Sequence, residues 1–573
     1  MNAPQELPRQ HSAAPAPATP VPDARGINLF RADASAGVLA CYLPPALHAH
    51  LLPHLDRVGA DAGARLDELA FSADRNPPTL SVRNRAGQDE SRVDKHPDYV
   101  ALERYAYGEL GLAAMSHRAG VLGWPEPMPA AAKYALTYLF VQTEFGLCCP
   151  VSMTDSLART LRKFGRPELV EAVLPQLTSQ DFETLRQGAM FMTEQGAGSD
   201  VAATETRAVA QPDGTWALYG DKWFCSNPDA GFAMVLARSE ARDGLGGVSL
   251  FLLPRERPDG TANAYRILRL KDKLGTRSMA SGEIRLEGAF AWLVGERGQG
   301  FKQMADMINN SRLSNGVRAA GLMRRALTEA LYVATHRQAF GQRLIDMPLM
   351  QRQLAKMAVW TEQARTMVFQ TARALQAADA DPAQRPLARI LTPLIKFRAC
   401  RDARKVTGDA MEVRGGCGYI EEWVEPRLMR DAHLGSIWEG TSNIVALDVM
   451  RAIKREHALP ALQALVQELL ADGEPCAASL QALQDERLAR AFAFAAEAAE
   501  SGQTEHARQA ASGLYHAVTL AGLRWEARQA RLPQRAALAD RVLLHRLAAR
   551  DPLAGGQVPD EAALCDWLAA PIA

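Results

Sequence analysis

The chain lacks a dominant sign of charge. Its 573 residues carry 65 lysines and arginines against 65 aspartates and glutamates, so no global field draws it to a polyanion; only a local patch could do so. Paired cysteines are also missing. Cys41, Cys148, Cys149, Cys225, Cys400, Cys417, Cys476 and Cys565 include no CxxC step and no cysteine–histidine cluster at zinc spacing. That pattern argues against a metal site and a disulfide framework, and fits reduced thiols that pack as small apolar side chains. No apolar run approaches the roughly 20 residues needed to span a bilayer. The N-terminus has no basic stretch leading into an apolar one, so no secretory signal is read there. These absences predict a cytoplasmic protein without a membrane segment. With 47% hydrophobic and 23% charged residues the composition is that of a globular protein, and the length exceeds one hydrophobic core, predicting three or four domains.

Residues 1–25 hold six prolines among many alanines and serines, which predicts a disordered tail or loosely docked arm. A mainly helical domain is predicted over 26–187. Tyr99 to Leu112 and Ala130 to Phe145 place apolar residues three and four apart, with breaks at Asn76-Pro77-Pro78 and Cys149-Pro150. Over 188–300 short β-type stretches follow one another: Trp216–Tyr219, Phe232–Ala237, Val248–Leu253, Tyr265–Leu270 and Gly282–Leu286. Turns such as Pro212-Asp213-Gly214 separate them, predicting a small antiparallel barrel or sandwich. Long amphipathic helices return over 301–455 as a bundle, and an Ala/Leu/Arg-rich helical unit is predicted over 456–573. The fold class is mainly α with a central β domain.

Chemistry concentrates at Ser436-Ile437-Trp438-Glu439-Gly440-Thr441-Ser442-Asn443-Ile444. One carboxylate lies between bulky apolar neighbours and a polar turn. Ile437 and Trp438 can strip water from Glu439, which raises a carboxyl's pKa and makes it a better base; the alternative is a surface acid beside a helix start. Met192-Thr193-Glu194-Gln195-Gly196-Ala197-Gly198-Ser199-Asp200 combines small residues with hydroxyls that can bond a flat polar ring or a phosphate, or it is simply a tight loop. Lys222-Trp223-Phe224-Cys225-Ser226-Asn227 could cover a planar cofactor or fill a barrel core. Arg337-Gln338-Ala339-Phe340-Gly341 offers a cation for a pyrophosphate or a helix C-cap. Gly415-Gly416-Cys417-Gly418 does not complete a GxGxxG after a strand, which argues against a Rossmann site.

In order, TExxAGSD, KWFxSN, RxxFG, RGGCGY, RDA and IWEGTSNI resemble the acyl-CoA dehydrogenase family over roughly residues 95–455. The resemblance implies FAD bound between the β domain and the helical bundle of a homotetramer, completed across a subunit interface. It gives Glu439 the role of removing the acyl α-proton while a β-hydride passes to flavin N5. Met190, Met192, Thr193, Ser199, Phe224, Ser226, Ile437, Thr441 and Asn443 would form the FAD site, with Arg337, Gly415 and Gly416 holding FAD across the interface. Three departures stand out: Phe224 where a Trp is usual, Pro348 where a flavin-contacting Gln is common, and Trp438 in place of the usual Tyr, narrowing the acyl pocket.

Asn76-Pro77-Pro78, Val93 to Pro97, Cys149 to Thr154, Leu270 to Gly275, the 258–260 insertion and the extra helical segment after 455 resemble the AidB-type subgroup. That resemblance implies a tetrameric FAD protein of the adaptive response to alkylating agents, with double-stranded DNA bound by the C-terminal domain and weak dehydrogenase activity. Independently, Arg524, Arg528, Arg531, Arg535, Arg541, Arg546 and Arg550 are opposed only by Glu526 and Asp540. The 524, 528, 531, 535 spacing would put four cations on one helical face unless Pro533 breaks it, and such a stripe suits phosphates; the alternative is a solvated face. The leading expectation is therefore an AidB-type, DNA-binding flavoprotein acting on acyl-CoA. The alternatives are a metabolic short- or branched-chain acyl-CoA dehydrogenase passing electrons to an electron-transfer flavoprotein, and an oxidase of small nitro or acyl compounds.

Overall fold

The computed structural model describes residues 21–549, 553 and 560–571. The predicted tail therefore lies mostly outside the described residues, as does Arg550. The N-terminal helices are α1 (Pro45–Gly63), α2 (Arg65–Arg75), α3 (Pro97–Glu103), α4 (Ala130–Phe140), α5 (Cys148–Phe164) and α6 (Pro167–Leu177). The apolar spacing does its expected work in α1, where Leu47, Leu51, Leu55, Val58 and Ala62 are buried along one face. Two local features differ from the helical reading. Past the Asn76-Pro77-Pro78 break, β1 (Thr79–Arg83) and β2 (Asp89–Asp94) pair as an antiparallel hairpin. The segment from Tyr99 does not continue as one α-helix, because α3 passes into a wider π-turn over Arg104–Glu109.

The strands are β3 (Gly188–Phe191), β4 (Arg207–Ala210), β5 (Trp216–Ser226), β6 (Phe232–Arg238), β7 (Val248–Pro254), β8 (Tyr265–Leu270) and β9 (Ser281–Val294). Their order is β3-β6-β4-β5-β9-β7, β7 pairs back onto β6, and β8 pairs β9. The sheet thus closes on itself, which removes most free edges. Pairing is antiparallel apart from β6, which runs parallel to β3 and β4. β7 is buried along its whole length and β6 along nearly all of it, which explains their nearly continuous apolar sequences.

Three long helices follow: α7 (Gly300–His336), α8 (Pro348–Ala380) and α9 (Arg385–Arg414). The two-residue strands β10 (Gln338–Ala339) and β11 (Gln342–Arg343) form a small hairpin between α7 and α8, and Pro348 opens α8. α10 (Glu425–Gly435) and α11 (Ser442–Glu456) complete the bundle, and α12 (Leu459–Ala471), α13 (Ala478–Ser501), α14 (Ala507–Gln529), α15 (Gln534–Val542) and α16 (Glu561–Ala569) pack beyond it. α7 touches α5, α8, α9 and β7. One helix therefore fixes the bundle against both the N-terminal helices and the barrel, and the crevice they leave holds the site. Among the described residues no helix is long and apolar enough to cross a membrane.

Candidate active site

Glu439 lies on the loop between α10 and α11. Its φ of 54° and the 99° of Gly440 are both in the left-handed region, unfavourable for a glutamate and easy for a glycine. Such a turn persists only when its surroundings hold it. Arg312 of α7 donates from Nε to the Glu439 carbonyl at 3.2 Å, and Lys396 of α9 donates to the Gly440 carbonyl. Asp448 of α11 in turn pairs with Arg312 at 2.7 Å and with Arg389 at 2.8 Å. Two cations from different helices thus grip adjacent carbonyls of the strained turn.

One oxygen of the Glu439 carboxylate is left free: Oε2 is buried without a hydrogen-bond partner. Burial raises its pKa, while Arg312, Lys396, Arg318 and a hydrogen bond from Ser311 pull the other way. Beside it Trp438 stacks on Phe145, ring centres 5.9 Å apart, with the Arg318 guanidinium 4.5 Å from the indole. Burial also pushes Lys396 and Lys273 down to about 8.

Glu439 opens onto a cavity of about 1860 Å³ between barrel and bundle. The barrel side contributes Met190, Met192, Thr193, Ser199, Phe224 and Ser226; the bundle side contributes Arg312, Ile437, Trp438, Glu439, Thr441 and Ile444; α5 contributes Cys149 and Met153. The Thr193–Asp200 loop is anchored from behind. Lys222, fully buried on β5, pairs with Glu194 at 2.6 Å, and Glu194 also accepts from the Glu205 and Thr206 amides. Lys271 lies 3.4 Å from the Trp223 ring centre.

These walls fit a flavin. Phe224 and Ile437 are 57% and 59% exposed, large apolar surfaces that a planar ring would cover, and the hydroxyls of Thr193, Ser199, Ser226 and Thr441 lie around them to meet its polar edge. Four expected residues are not in this wall. Asn443 is exposed on the first turn of α11. Arg337, Gly415 and Gly416 gather where α7 and α9 end, with Arg337 Nη1 donating to the Arg414 carbonyl at 3.0 Å. Arg312, Lys396 and Arg318 had no local sequence signal, and Lys222 entered only as the first residue of the KWFxSN motif.

The arginine stripe is not a surface. α14 stops at Gln529 and α15 starts at Gln534, with Arg531 in the left-handed region between them, so the four residues share no single helix. Arg524 is buried and pairs with Asp540 at 2.6 Å. Arg535 is fully buried and pairs with Glu362 at 2.6 Å and with Glu526. Arg541 is buried too, and Arg546 lies 4.4 Å from the Trp360 ring centre. Of the four, only Arg528 and Arg531 are exposed. Counting charge along the segment overlooked Glu362, an acid that folding brings from another helix.

The chain matches three family profiles: acyl-CoA dehydrogenase, C-terminal domain, over residues 298–454; acyl-CoA dehydrogenase, middle domain, over 189–289; and adaptive response protein AidB N-terminal domain over 20–184. It is 36% identical over 400 residues to AidB of Escherichia coli (strain K12), covering 68% of this chain and 71% of that protein. It is 32% identical over 441 residues to acyl-CoA dehydrogenase family member 11 of Caenorhabditis elegans, covering 75% and 71%. The crystal structure of C. elegans ACDH-11 in complex with C11-CoA superposes with a TM-score of 0.85 at 27% identity, covering 94% of this chain and 95% of that one. The chain therefore belongs to the acyl-CoA dehydrogenase family of FAD-dependent oxidoreductases, on its AidB-like branch.

Proposed function

We propose that the protein oxidises an acyl-CoA thioester between its α and β carbons, with Glu439 as the base. The observation that carries this reading is the unpartnered, buried Glu439 Oε2 on the wall of a cavity shared with Thr193, Ser199, Phe224 and Ser226. FAD, when bound there, supplies the hydride acceptor. The chain's own work is to hold the flavin edge with the barrel hydroxyls, to exclude water with Trp438 and Ile437, and to take the α-proton on Glu439 Oε2. Burial makes that carboxylate basic enough for the task, and the Arg312 and Lys396 contacts hold it in place.

A second copy of the chain completes the site in this reading. Phe340, Leu349 and Tyr419 are 97%, 83% and 77% exposed. They belong to the same loops and helix ends as Arg337, Gly415 and Gly416, an apolar surface suited to burial in a homotetramer. Double-stranded DNA binding retains Arg528 and Arg531 of its four proposed contacts.

The test is anaerobic loss of flavin colour on adding acyl-CoAs of graded length, with wild type and Glu439→Gln. Bleaching that falls at least about a hundredfold in rate in the variant is expected for a lost general base. Bleaching at the wild-type rate would remove Glu439 from the mechanism.

A further inference from the structure

A second cavity, of about 550 Å³, lies between α6 and the barrel and shares no lining residue with the active cavity. Its size is that of a small-molecule site, roughly 300–1,000 Å³. Leu169 and Val173 of α6, Phe232 of β6 and Trp292 of β9 form apolar walls. The two cavities stand back to back. Met190 and Ser226 line the active one, whereas their near neighbours Gln187 and Asn227, joined by a 3.0 Å hydrogen bond, line the second.

Charge in this lining is unbalanced. Lys95, Arg186, Arg255 and Arg257 stand against Asp229 and Glu256. Lys95 is already matched, lying 3.0 Å from Glu103 and 3.3 Å from Asp229. Among the described residues the three arginines form no ion pair. Arg186 Nη1 donates to the Glu183 and Leu185 carbonyls, and Arg255 Nη2 donates to the Ser91 carbonyl at 2.9 Å. Arg257 makes no side-chain hydrogen bond among the described residues, and its Nε is buried without a partner. The local fold gathers these cations. After β7 the chain doubles back around Pro258-Asp259-Gly260, with Glu256 bridging Ala262 and the Arg257 amide donating to the Thr261 carbonyl at 2.7 Å. Extended backbone alternates its side chains, so Arg255 and Arg257 share a half-buried face while Glu256 between them is exposed. Guanidinium groups without a carboxylate, beside an apolar pocket, suit an oxyanion with a hydrocarbon body. The nearby Asp229 and Glu256 repel a dianion more than a monoanion, which favours a single carboxylate over a phosphate.

We propose that this cavity is a second ligand site for an amphiphilic carboxylate, a medium-chain fatty acid whose head meets Arg255 and Arg257 and whose chain lies on Leu169, Val173, Phe232 and Trp292. The ligand is bound and released unchanged. The site stands whether or not the flavin cavity oxidises acyl-CoA.

The experiment titrates the flavin-loaded full chain with decanoate, decanol and inorganic phosphate by calorimetry, using wild type, Arg257→Met and Arg257→Lys. Wild type should bind decanoate saturably. The affinity should be at least about tenfold above that for decanol, which has the chain without the charge, and for phosphate, which has charge without the chain. Arg257 lies outside the active cavity and holds no other side chain by a hydrogen bond or ion pair, so Arg257→Met should keep the unfolding temperature of wild type. It should lose about tenfold in decanoate affinity, and Arg257→Lys should regain part of that. Absence of saturable decanoate binding to wild type overturns the proposal and needs no variant. So does decanol binding as tightly as decanoate, which makes the pocket merely apolar, or phosphate binding as tightly, which makes it a plain anion site. Wild-type decanoate affinity in Arg257→Met places the ligand elsewhere and overturns it as well.

Discussion

Lys396→Met separates what the base-bearing turn gains from its ammonium and what that ammonium costs. Lys396 is 1% exposed, pairs with no carboxylate within ion-pair distance, and donates to the Gly440 carbonyl. Burial pushes it down to about 8, against roughly 10.4 for an ordinary lysine, a difference worth about 3 kcal/mol at neutral pH. The folded state therefore binds fewer protons than the unfolded chain between these two values, and stability from this group rises with pH across that window. In Lys396→Met the penalty disappears, but the Gly440 carbonyl loses its donor, which costs about 1–3 kcal/mol. The two effects nearly cancel at pH 7. By about pH 9.5 the wild type has shed about 2 kcal/mol of the penalty on this reasoning, so the variant should become less stable relative to the wild type by about that amount between the two pH values. Urea unfolding of both proteins at the two pH values measures this, and Lys273, held down to about 8 as well, cancels in the difference. A wild-type-minus-variant difference that stays constant with pH would refute the reasoning.

Arg535→Met leaves Glu362 and Glu526 with a buried charge to satisfy and should cost about 3–5 kcal/mol in a denaturation assay, whereas Arg528→Ala and Arg531→Ala should change stability by less than about 0.5 kcal/mol. If Arg528 and Arg531 contact DNA phosphates, neutralising both should weaken binding of random duplex at low salt and flatten its salt dependence; unchanged affinity removes them from any such surface. Bleaching rate should rise with pH through a value above the roughly 4.3 of an ordinary glutamate, because Glu439 acts only when ionised and burial raises its pKa. Gly418→Ala would set a Cβ 2.3 Å from the Met411 carbonyl oxygen, and thermal unfolding should show a loss of about 1–3 kcal/mol.

Local order determined much of this protein. The third strand of the predicted series has nearly its observed bounds and Tyr265–Leu270 has the same ones, because alternation and turn residues act over a few positions. The first of the long helices predicted from residue 301 onward spans Gly300–His336, since apolar spacing repeats for many turns. The motifs around Thr193, Phe224 and Glu439 lie far apart in the chain and meet in one cavity, legible beforehand through the resemblance they carry together. Tertiary structure alone decided the electrostatics. Arg312 reaches the Glu439 carbonyl across 127 positions of sequence, Lys396 reaches Gly440 across 44, and Arg535 finds Glu362 across 173. Periodicity is a property of neighbours along the chain. Desolvation and charge pairing depend on which distant segments close over a group, so of one run of arginines Arg524 and Arg535 became buried ion pairs while Arg528 and Arg531 stayed exposed.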